Sequence, residues 1–89
     1  MRIKDGFFMS EVGTDFVVIA QSIDAKKTFD GMLRLNQTGA FLWKQLETEK
    51  SESQLVSALM EEYSVEESVA AADCADFLAT LREVHLLDE

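Results

Sequence analysis

Cys74 and His85 are the chain's only thiol and only imidazole, and together they suggest a nucleophile and its base. They stand eleven residues apart, and no third residue nearby completes a triad. Both fit better as core or rim positions of a final helix. Asp73 and Asp76, at i and i+3, could form a general acid–base pair, but a solvated flank beside an apolar stripe explains them more simply. The chain has no glycine-rich phosphate loop, no CxxC and no HExxH. It also lacks the Asp-Ser-Leu attachment site of an acyl carrier. One Cys rules out an internal disulfide and, with one His, makes a Cys/His zinc site untenable. The residues point away from catalysis, and neither a metal nor a cofactor is expected.

What the residues must be mounted on is small. The 89 residues allow one domain, 1–89, and 47% hydrophobic residues with six Phe supply a core. Proline is absent, and no stretch approaches the roughly 20 apolar residues of a membrane span. No signal-peptide core opens the chain, so a soluble, cytoplasmic protein is expected.

Charge divides the chain. Residues 1–44 carry six bases and five acids; residues 45–89 carry two bases and twelve acids, for a net charge of −9 overall. Phosphate binding needs clustered Lys and Arg, so the second half would repel nucleic acid.

The first third reads as a β-meander over 1–35. Strands are expected near 6–12, 15–21 and 27–35, the first two parted by the turn residues Gly13-Thr14-Asp15. In the third, Phe29, Leu33 and Leu35 share one face, and Thr28, Asp30, Met32 and Arg34 the other. Gly31 within that run suggests a bulge or a close backbone approach.

From Asn36 the period turns helical. Helices are expected near 37–48, 52–63 and 66–84, capped by Asn36, Ser51 and Ser64. The predicted core is Val18, Leu35, Leu42, Trp43, Leu46, Leu55, Leu59, Phe77, Leu78 and Leu81. The fold class is α+β: a three-stranded antiparallel sheet followed by a three-helix, winged-helix-like bundle. A DNA-binding reading of that outline is weak, because no base falls between Ser51 and Leu81 among the many acids. Peptide or protein binding remains, with the third strand as an open edge on which another strand could add. Such an edge could also pair with a second copy, giving a homodimer.

The run Gly31-Met32-Leu33-Arg34-Leu35-Asn36-Gln37-Thr38-Gly39-Ala40-Phe41-Leu42-Trp43 resembles the PqqD-like family. So do Leu59-Met60-Glu61-Glu62-Tyr63-Ser64-Val65 and Asp73-Cys74-Ala75-Asp76-Phe77-Leu78, in the family's order. The resemblance implies a RiPP recognition element, a non-enzymatic peptide chaperone in natural product biosynthesis. Such a module binds the leader of a ribosomal precursor peptide as a strand beside the third strand, against the third helix. It presents the leader to a modifying enzyme, often a radical SAM protein. Carried onto this chain, the clamp would be Phe29, Asp30, Gly31, Met32, Leu33, Arg34 and Leu35, with Asp73, Phe77, Thr80 and Val84. Acids on the leader would meet Lys27 and Arg34, and bases would meet Asp73 and Asp76. The pathway stays open between pyrroloquinoline quinone, lasso, thioether and orphan peptides. The alternative is a scaffold or regulatory subunit that binds no leader.

Overall fold

The computed structural model describes all residues, 1–89. Its elements run β1 (Arg2–Ile3), β2 (Phe7–Val12), β3 (Asp15–Ala20), α1 (Ile23–Thr28), β4 (Leu33–Leu35), α2 (Gln37–Gln45), α3 (Glu52–Tyr63), α4 (Glu67–Glu83) and β5 (Leu87–Asp88). The three-stranded sheet has the order β2-β3-β4 and is antiparallel throughout. With the helices it gives the expected α+β fold.

Register explains how the sheet meets the helices. Met9 and Leu33 both pair with Val18, and Leu35 pairs with Phe16. Side chains alternate across a sheet, so these residues share one face. Val18 on it is fully buried, while Met9, Leu33 and Leu35 pack around the core half-buried. Of the predicted core, Leu35 alone is only half-buried. Leu42, Trp43, Leu46, Leu55, Leu59, Phe77, Leu78 and Leu81 all lie inside, joined by Ala70, Cys74, Leu86 and Leu87.

The third strand is much shorter than the expected 27–35. Residues Ile23–Thr28 form a helix instead: Ser22 Oγ accepts from the Ala25 N–H at 3.0 Å, Asp24 opens the first turn and Lys26 and Lys27 close the last. A cap with charges matched to the macrodipole outweighs an alternating pattern that Gly31 already weakens. Lys27 therefore sits on α1, 3.8 Å from Asp24, and not on the strand. Gly31 is no bulge; a Cβ there would lie 3.2 Å from the Phe29 ring.

Two of the three expected caps form as read. Asn36 Oδ1 accepts from the Gly39 N–H at 2.7 Å. Ser51 and Gln54 make a reciprocal capping box. Ser64 does not open α4: it closes α3 in the left-handed conformation, with φ 53°. Glu66 is the N-cap of α4, without a side-chain bond.

The sequence reading also lacked β1 and β5, which pair Arg2 with Asp88 and Ile3 with Leu87. Short strands whose partners lie at opposite ends of a chain leave no local pattern. No helix is long and apolar enough to cross a membrane.

Candidate peptide-binding groove

β4 is an edge of the sheet, bonded to β3 on one side only. Beside it opens a groove of about 280 Å³. Arg34 and Leu35 of β4 form one wall, and Asp73, Asp76, Phe77 and Thr80 of α4 the other. The first turn of α2 closes one end with Asn36, Thr38 and Gly39, and Leu42 lies beneath. An open backbone edge with an apolar floor beside it suits an added strand: the edge bonds main chain, and the floor takes alternate side chains.

Spacing on α4 makes the wall. Asp73, Asp76, Phe77 and Thr80 follow at i, i+3, i+4 and i+7, which places them on one helical face. Phe77 turns inward at 7% exposure while the other three are exposed. The Thr80 hydroxyl donates to the Asp76 carbonyl at 3.1 Å, so its oxygen stays close to the helix. Arg34, Asp73 and Asp76 take part in none of the chain's ion pairs. The groove thus has one free cation on the strand and two free carboxylates on the helix, available to a ligand of mixed charge.

Gly39 sets the corner. A Cβ there would lie 3.2 Å from Asn36 Oδ1 and 3.4 Å from Leu35 Cβ, so a side chain would crowd both the cap and the strand end. The Thr38-Gly39 step is where the helix comes close to β4.

The remaining predicted site residues lie elsewhere. Phe29 caps the end of α1, packed half-buried against the core. Asp30, Gly31 and Met32 form an exposed link into β4, Met32 at 63% exposure. Val84 is the C-cap of α4 and packs on the core without lining the groove. Asn36, Thr38, Gly39 and Leu42 were not among the expected site residues; the helical cap and core pattern accounted for them without a site.

Cys74 and His85 sit in unlike surroundings. Cys74 is wholly buried, and burial, aided by Glu52 and Asp73, pushes its thiol up to about 11. His85 is exposed beyond α4, with φ 62°. No three His, Cys, Asp or Glu side chains gather to hold a metal ion.

Residues 18–87 match the family of PqqD, coenzyme PQQ synthesis protein D. This chain belongs to the PqqD family. Two solved structures share the PqqD-type fold seen here. TbiB1, in complex with the TbiA(beta) leader peptide, matches with a TM-score of 0.77 and 26% identity, over 99% of this chain and 95% of its own. Lasso peptide synthetase B1, complexed with the leader peptide, matches with a TM-score of 0.68 and 22% identity, over 92% of this chain and 89% of its own. No protein of curated function matches the sequence significantly.

Proposed function

We propose that this PqqD-family chain is a non-catalytic peptide-binding module of the cytoplasm. It takes the leader of a ribosomally made precursor as an extra strand on β4 and presents it to a modifying enzyme, a radical SAM protein being the partner that the family resemblance suggests. The observation that carries this reading is the free edge of β4 beside the groove walled by Asp73, Asp76, Phe77 and Thr80. The likeness to TbiB1, solved with a leader peptide, supports it.

Chemistry follows from the walls. The leader's main chain bonds to β4, its apolar side chains reach toward Leu35, Leu42 and Phe77, and its charges meet Arg34 on one side and Asp73 and Asp76 on the other. The test is a titration of the full chain with the leader of the precursor encoded beside it, followed by amide shifts. Shifts centred on residues 33–39 and 73–80 are expected. Shifts confined to α3 and the β2–β3 hairpin would refute strand addition at β4. A second copy competes for the same edge, and sedimentation with and without leader separates the two.

A further inference from the structure

A second cavity, larger than the groove, lies away from it. It measures about 350 Å³ and is formed by β1, the turn after it, the start of β2 and one side of α2. Groove and cavity share no lining residue. α2 turns Thr38, Gly39 and Leu42 to the groove, and Trp43 and Lys44 to the cavity, with Glu47 following just past its C-terminal end. On the sheet, the groove borders β4 and the cavity borders β2, the opposite edges.

Its charge is the reverse of the groove's. Arg2, Lys4 and Lys44 face Asp5 and Glu47, whereas the groove sets Arg34 against two acids. Asp5 is already engaged by Arg2 at 2.6 Å. Lys4 and Lys44 form no ion pair. Phe7 and Met9, on the core-facing side of β2, are half-buried and line the same cavity, which gives it apolar surface besides the two lysines. The frame is held from several sides. Ile3 N–H donates to the Leu46 carbonyl and Lys4 N–H to the Leu86 carbonyl, both at 2.9 Å. Gly6 turns the chain at φ 92° against Ala25.

We infer that this cavity is a second binding site, which takes an acidic segment of the modifying enzyme bearing an apolar side chain between its carboxylates. The carboxylates pair with Lys4 and Lys44, and the apolar side chain packs against Phe7 and Met9 beside Trp43. Long polyanions are poor occupants, because a chain of net charge −9 repels them outside this local patch. Sites at opposite sheet edges let the module hold leader and enzyme at once. Only the enzyme's identity as occupant rests on the function proposed above; the cavity's preference for acids stands apart from leader binding.

The probe is a short synthetic peptide with a Phe-Leu centre flanked by Glu and Asp, titrated into the full chain at low salt. Trp43 is the single tryptophan and lines the cavity, so its emission reports the site. Amides of residues 2–9 and 43–47 are expected to shift while those of 33–39 and 73–80 stay in place. The Gln/Asn counterpart of the peptide, and the double variant Lys4→Glu with Lys44→Glu, should each weaken binding about five- to tenfold, with melting and leader titration unchanged. Equal binding of the amide peptide, shifts falling on the groove, or no saturable response would overturn the proposal. So would dimerisation in sedimentation that the double variant abolishes, since a second copy would then own the face.

Discussion

The Gly39 amide donates to Asn36 Oδ1 at 2.7 Å, and Gly39's missing side chain leaves room for that oxygen and for Leu35. One contact therefore starts α2 and shapes the corner of the groove. Asn36→Ala should lower stability by about 1 kcal/mol in urea titration, and Asn36→Asp should restore most of it. Gly39→Ala gains about 1 kcal/mol of helix propensity and loses a similar amount at the crowded cap. Its midpoint should barely move while leader affinity falls. A loss of stability with affinity intact would reverse the roles given to these two residues.

Edge pairing on β4 is open to proline substitution. Successive N–H groups in an antiparallel strand point to opposite sides, so one of Leu33→Pro and Arg34→Pro removes an edge-facing donor and the other a donor to β3. The edge-facing substitution should keep its helical circular dichroism and lose leader binding. Arg34→Ala should weaken binding only about two- to tenfold, more at low salt. Lys27→Ala, on α1, should have no effect. Full affinity in whichever proline variant folds would end the strand-addition reading.

Trp43 is 2% exposed within the core. Trp43→Ala should cost about 3–5 kcal/mol, measured from the denaturant midpoint. A change below about 1 kcal/mol would mean that the core collapses around the gap, contrary to the close packing of protein interiors.

Burial raises the Cys74 thiol from an ordinary 9.0 to about 11. The folded protein therefore holds this proton where the unfolded chain has released it. The resulting stability is fully present below pH 9 and declines as pH rises toward 11. Urea midpoints taken from pH 7 to 10.5 should fall at the alkaline end, and Cys74→Ala should remove that part of the slope. Parallel curves for the two proteins would contradict it.

The long helices were legible in the sequence because each carries many periods of its apolar stripe and because Asn36 and Ser51 are strong caps. Ser64 misled, since a serine before two glutamates reads as an N-cap, whereas the left-handed turn at this residue ends the helix before it. α1 escaped notice because it is six residues long and buries only Ala25. For the α4 wall of the groove, periodicity supplied the helix and its apolar stripe, and the family resemblance supplied the choice of Asp73, Phe77 and Thr80 as its lining. The α2 corner was not legible, because Asn36, Gly39 and Leu42 each have a sufficient local reason as cap, close approach or core, and only tertiary packing brings them to the groove.

The pairing of β1 with β5 sets Arg2 opposite Asp88, so both ends of the chain leave the molecule at one point. Neighbours across such a pair stand about 5 Å apart, a gap that a few residues span. The backbone is thus nearly a closed ring. A permuted chain, joined there and reopened at the exposed Gly13-Thr14 turn, would keep every helix and both walls of the groove. By the same geometry, a domain fused at either end emerges from the same spot, and pulling on the two ends opens the pair one hydrogen bond at a time, as a zipper.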